Sequence, residues 1–161
     1  MTKDIQYINP SGLSDPSNYG FSHIAIAPEN AKLVYISGQF GEDEKGNPVS
    51  DDFATQLKQA FSNLRTALAA VGATPEQVVK ITILSVEHDA QKQKLISNER
   101  KAMWKSDCKP ASTLIPVPRL ALDWMLFEID GISRLKNDLP KKKCYYDRLQ
   151  YLLRFTQRLW L

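Results

Sequence analysis

Between Phe53 and Val86 the sequence changes its hydrophobic period once, and that change limits the possible folds more than any other feature. Leu57, Ala60, Phe61, Leu64, Ala67, Leu68 and Val71 recur at three- and four-residue steps, the spacing of one face of an α-helix. Asp51 or Asp52 is placed to cap its start and Gly72 to end it. Thr74-Pro75-Glu76-Gln77 starts one further turn, and Val78–Val86 then reads as a strand through Val79, Ile81, Ile83 and Leu84. A helix followed this closely by a strand has to pack back on a sheet.

The rest of the chain supplies that sheet. Gln6, Tyr7 and Ile8 predict a short strand, and Ser22 to Ala27 alternates as a half-buried one would. Lys32 to Ser37 is a β-rich run stopped by Gly38, and the Pro28-Glu29-Asn30 turn between these two runs predicts a hairpin. Gly41 to Ser50 is an acidic, solvated excursion. Helical spacing returns from Asp89 to about Lys105, through Leu95, Ile96, Ala102, Met103 and Trp104, until Lys109-Pro110 breaks it. Ser112–Val117 and Leu126–Ser133 are the last strands, and Pro116 and Pro118 push the first of them to a sheet edge. The order is β-β-β-α-β-α-β-β, an α+β layer in which two helices cover one sheet face. Nothing in the chain is left to cover the other face, so burial against identical subunits is expected.

Composition narrows the classes of function. The 161 residues fit one domain, with 43% apolar and 24% charged residues, enough for a packed core. No apolar run approaches the ~20 residues of a membrane span, and the N-terminus lacks the apolar stretch of a secretory signal, so a cytoplasmic protein with no transmembrane segment is expected. Cys108 and Cys144 have no C-x-x-C spacing. The net charge of +3 hides an asymmetry: 13 basic against 16 acidic residues through Ser133, then 8 against 2 from Arg134 onward. A mildly acidic body gives no reason to expect a nucleic-acid footprint. No phosphate-loop, dinucleotide or nucleophile-elbow motif is present, and His23 and His88 lack partners at ligand spacing, so no cofactor and no metal are expected.

The chain therefore divides into a domain over residues 1–135 and a basic amphipathic tail over residues 136–161. In the tail, Lys141-Lys142-Lys143 leads into Tyr145, Leu149, Leu152, Leu153, Phe155, Leu159 and Trp160, interleaved with Arg148, Arg154 and Arg158. Three readings stay open for it: docking on its own domain, binding a membrane surface or partner, or an appended, poorly ordered segment.

An ordered set of short motifs over residues 18–133 resembles the RidA/YjgF family, the enamine/imine deaminases also described as endoribonuclease L-PSP-like. Leu33-Val34-Tyr35-Ile36-Ser37-Gly38-Gln39 is similar to its "S-G-Q" strand end. Gln56 to Gly72 with Val78-Val79-Lys80-Ile81-Thr82 is similar to its first helix and following strand. Pro110-Ala111, Val117-Pro118-Arg119-Leu120 and Phe127-Glu128-Ile129-Asp130 resemble the closing signature. The resemblance implies a chorismate-mutase-like α+β fold, a six-stranded mixed sheet with two helices on one face, and a homotrimer around a central barrel. It also implies a small-molecule ligand in clefts between subunits, where 2-aminoacrylate or 2-imino acids are hydrolysed to 2-keto acids and ammonia. Relatives described as ribonucleases exist, but the acidic body argues against that role except through the basic tail.

The same resemblance marks the site residues. Glu128 matches a glutamate that positions water. Ser37 at the strand end is placed to donate a hydrogen bond to a ligand, Gly38 allows close backbone approach, and Asn98 stands where the family's second helix has an asparagine, to orient a ligand or cap local backbone. Asp130 shares the sheet face of Glu128 by strand periodicity. Two positions depart from the pattern: Phe21 stands where the family has a cleft tyrosine, and Ser112 where it has the arginine that grips the substrate carboxylate. A hydroxyl offers one donor and no charge, where a guanidinium offers a planar fork. Arg119, seven residues on, and Arg100, on the second helix, are the candidate replacements. Two functional readings follow: an imine deaminase with weak or altered activity, or a non-catalytic trimeric metabolite-binding or regulatory protein.

Overall fold

The computed structural model describes residues 4–105 and 108–135. Six strands and two helices alternate in the order β1 (Gln6–Ile8), β2 (Ile24–Ile26), β3 (Leu33–Phe40), α1 (Phe53–Ala70), β4 (Val78–Val86), α2 (Ala90–Met103), β5 (Ala111–Val117), β6 (Phe127–Arg134). Both helices start on the side chain the sequence offers. Asp52 accepts from the Thr55 amide (2.8 Å), and Asp89 from the Lys92 amide (2.7 Å). Gly72 turns the chain out of α1 in the left-handed conformation, φ +70°.

The strands form a four-stranded mixed sheet in the order β3-β6-β4-β5 and a separate β1-β2 ribbon, not one six-stranded sheet. β4 and β5 are parallel, as their helical crossover requires, and the remaining pairs are antiparallel. β5 lies at the sheet edge, where its prolines cost no ladder hydrogen bond. The predicted hairpin is not made. β2 takes β1 as its antiparallel partner, with Tyr7 opposite Ala25, and β3 pairs with β6 alone. A strand has to satisfy its backbone groups somewhere, and Gln6–Ile8 does this for β2. Gly38 does not stop its strand either. β3 continues to Phe40 across a bulge between Ile36 and Gln39, which absorbs the extra residue.

One layer of core lies between the helices and the sheet. Phe61 stacks on Phe127 (6.0 Å between centroids), and Phe53 and Trp104 meet these rings edge-on. Ile81, Ile83 and Ile129 complete the buried strand face. Gln56 is fully buried and bridges three backbone groups: its amide donates to the Ser50 and Trp124 carbonyls (both 2.8 Å), and its carbonyl accepts from the Leu126 amide (2.9 Å). Among the described residues no helix covers the opposite sheet face. Leu33, Tyr35 and Ile115 stand exposed there, and Tyr35 keeps 74% of its surface. Among the described residues no helix is long and apolar enough to cross a membrane. The three readings of the tail fall outside the described residues.

Candidate functional site

Strand alternation sorts the candidate residues onto two faces. On β6, Phe127 and Ile129 point into the core, which sends Glu128 and Asp130 to the open face. Register brings their neighbours: Glu128 lies opposite Phe40 and Leu84, and Asp130 opposite Thr82. The Asp130 carboxylate accepts from the Thr82 amide (3.2 Å). Lys80, next on that face of β4, donates to the Thr113 hydroxyl of β5. Burial lowers the Lys80 ammonium from its ordinary value, with nearby Arg100 adding to the effect and Asp130 opposing it. A polar strip of Glu128, Asp130, Thr82, Lys80 and Thr113 thus crosses three strands, between Leu84 and Ile132.

Glu128 and Gly38 are built around each other. A Cβ on Gly38 would stand 1.6 Å from Glu128 Oε1 and 2.5 Å from its carboxyl carbon. The carboxyl group therefore lies flat on the bulge backbone, in volume that only glycine leaves open. Glu128 is half-buried and makes no hydrogen bond or ion pair with a described residue. Burial raises its carboxyl above the ordinary value, and the Asp130 charge adds to the rise. A carboxylate held so can keep a water in place and take a proton from it. Ser37 is exposed at the same bulge.

A second group lies on the helix side. Ser112 pairs with Ile81 and alternates with Leu114, both packed in the core, so its side chain faces α2 rather than the open face. Its hydroxyl is buried without a partner among the described residues. Ser22 forms a bridge to Ala111 and its amide donates to the Pro110 carbonyl (3.1 Å), which sets Phe21 beside this strand end. The Phe21 ring lies 5.9 Å from the Arg100 guanidinium and meets His23 edge-on. His23 Nε2 in turn donates to the Ser14 carbonyl (2.7 Å).

The structure places the other two candidates at the surface. Arg119 is exposed in the loop after β5 and pairs with Asp123 at 3.0 Å. Asn98 is exposed on α2, between buried Ser97 and buried Arg100. Lys80, Thr82 and Thr113 are the members of the strip that sequence reasoning missed; their signal was the two-residue period shared by paired strands. Gln56 gave no signal beyond its place on the helix.

Two helices on one face of a mixed sheet define a small α+β domain, with a carboxyl group lying on a glycine bulge of its other face. The comparisons sharpen this. Residues 14–135 match the family described as Endoribonuclease L-PSP. The RutC family protein YjgH of Escherichia coli (strain K12) is 29% identical over 119 residues, 74% of this chain and 88% of that protein. The Rid-family protein YyfB of Yersinia pestis superimposes with a TM-score of 0.78 at 28% identity, covering 82% of this chain and 99% of its own. A human 2-iminobutanoate/2-iminopropanoate deaminase is 43% identical over 54 residues, 33% of this chain and 39% of that enzyme. The chain belongs to the RidA/YjgF (endoribonuclease L-PSP) family.

Proposed function

We propose that this protein binds small imine or enamine compounds and hydrolyses them, with weak or altered turnover of simple 2-imino acids. The observation that carries the reading is the Glu128 carboxyl group lying on Gly38, half-buried, raised in pKa and free of protein partners among the described residues. In the hydrolysis Glu128 takes a proton from water as the oxygen attacks the imine carbon. Glu128 returns this proton to the imine nitrogen, giving a carbinolamine, and the hydroxyl proton then follows to nitrogen as the C–N bond breaks, so that ammonia leaves and a carbonyl forms. The similarity to the human deaminase supports the substrate class. Ser112 stands where the family grips the substrate carboxylate, which supports the weakened activity.

The domain over residues 1–135 assembles as a homotrimer. Two observations support this: the bare face with Leu33, Tyr35 and Ile115, and the split of the candidate residues between opposite faces of one sheet. Copies packed side by side are the simplest way for both groups to line one cleft.

The test is turnover of 2-iminopropanoate generated in situ by an amino-acid oxidase, followed as loss of a semicarbazone trap signal. Faster loss with the protein, falling at least about 100-fold in Glu128→Gln, is expected. Binding of a 2-oxo acid with no turnover in either form would replace this by the second reading, a non-catalytic metabolite binder; the loss of the arginine at Ser112 favours it.

A further inference from the structure

Arg100 is a charged side chain only 2% exposed, buried between α2, the Ser17–Phe21 segment and the sheet. Its Nη1 donates to the Tyr19 carbonyl (3.3 Å), and the Phe21 ring covers one side of the guanidinium. Nε and Nη2 are buried and have no partner among the described residues. Leaving two donors of a buried cation unpaired is expensive, because each has lost its water without replacement. Burial accordingly lowers the guanidinium to about 10, still charged at neutral pH.

The two free donors have a particular geometry. Nε and Nη2 form one coplanar edge of the guanidinium, the edge that receives both oxygens of a carboxylate in parallel. A second free donor follows along the chain. In the β4-α2-β5 crossover the chain leaves the last turn of α2, with Arg100, and re-enters the sheet at the first residues of β5, with Ser112. The Ser112 hydroxyl faces the helix layer and is also buried without a partner among the described residues. The Ser22–Ala111 bridge and the Phe21–Arg100 contact tie both to one stretch of backbone. Among the described residues no carboxylate pairs with Arg100, and Glu99 is its neighbour in sequence without a bond to it.

We propose that Arg100 binds the carboxylate of the protein's ligand through its Nε–Nη2 edge, with the Ser112 hydroxyl as an additional donor. The cation that the family carries on β5 has thereby moved to α2. This rests on the reading of the protein as a binder of small carboxylates and names the residue that selects them. The fork lies inside one protomer, which favours a small ligand over a carboxylate reaching in from a neighbouring subunit. Entry requires the Ser17–Phe21 segment to give way, and Tyr19 of this segment is half exposed.

The experiment is titration of the full-length protein with 2-oxobutanoate, an unreactive carboxylate of the product class, by calorimetry. Sedimentation is run in parallel on each form. Arg100→Gln should weaken binding at least about 30-fold with the assembly unchanged. The double variant Arg100→Gln with Ser112→Arg, which returns the cation to β5, should recover most of it. Should Arg100→Gln fold poorly, the Arg100 Nε–H resonance of wild type decides, since it should shift on adding 2-oxobutanoate and not its amide. No binding by wild type, unchanged binding in folded Arg100→Gln, an unmoved resonance, or dissociation of the assembly in Arg100→Gln would each overturn the proposal. Failure of the Glu128 reading looks different: turnover is absent while Arg100-dependent binding stays.

Discussion

Gly38 and Glu128 compete for one volume, and this makes Gly38→Ala an informative change. The methyl group would overlap the Glu128 carboxyl, the mobile end of a flexible side chain rather than backbone. The carboxyl group swings away at small cost, so stability should fall by less than about 1 kcal/mol. Turnover should fall nearly as far as in Glu128→Gln, because the positioned base is lost. Thermal unfolding beside the semicarbazone assay checks both halves. The raised carboxyl also sets a pH dependence. Its folded pKa lies above the ordinary value, so the native state holds this proton more tightly and Glu128 costs stability as pH rises through that range. Glu128→Gln should flatten this part of the stability profile, read from denaturant midpoints between pH 4 and 7. Gln56→Leu acts on the fold instead. It strands the Ser50 and Trp124 carbonyls and the Leu126 amide, and should cost about 3 kcal/mol in chemical denaturation.

At the level of elements, most of the architecture was legible because period and punctuation agreed. α1 carries a seven-residue apolar stripe between Asp52 and Gly72, and β4 matches its predicted bounds, Val78–Val86. What failed were choices between partners. A turn of three residues suggested a β2–β3 hairpin, yet β1, with almost no hydrophobic signal, took β2. Gly38 reads as a strand end in sequence because a bulge and a stop use the same residue. The site was legible where it follows from alternation, as for Glu128 and Asp130. It was not legible where it depends on which side of a long side chain is left unpaired. Arg119, one of the two replacement candidates, sits in a surface ion pair, whereas Arg100 is buried with two donors unpaired among the described residues.

For the whole molecule the bare face is decisive. Tyr35, with most of its surface exposed in the middle of β3, lies where copies would meet. Wild type should sediment at three times the 18.2 kDa chain mass, and Tyr35→Asp should shift it towards one. A wild-type protein that stays at one chain mass at micromolar concentration would remove the trimer and the shared cleft, though not the Arg100 fork, which lies within a protomer. The tail stands apart from these arguments, and rapid loss of everything after Pro140 on limited proteolysis of the intact assembly would rule out its docking reading.

Asp4 and Arg134 form an ion pair at 2.8 Å, with Arg134 nearly buried, and so clasp the first described residues to the end of the last strand. The two ends of the domain thus lie side by side, far along the chain yet adjacent in space. A short linker could join them, and the exposed Asp43–Asn47 turn, with Gly46 at φ +80°, offers new termini between β3 and α1. Such a circular permutant would begin on α1 and finish on β3, leaving each ladder of the sheet intact. In this fold the order in which the strands are strung together is separable from the order in which they pack.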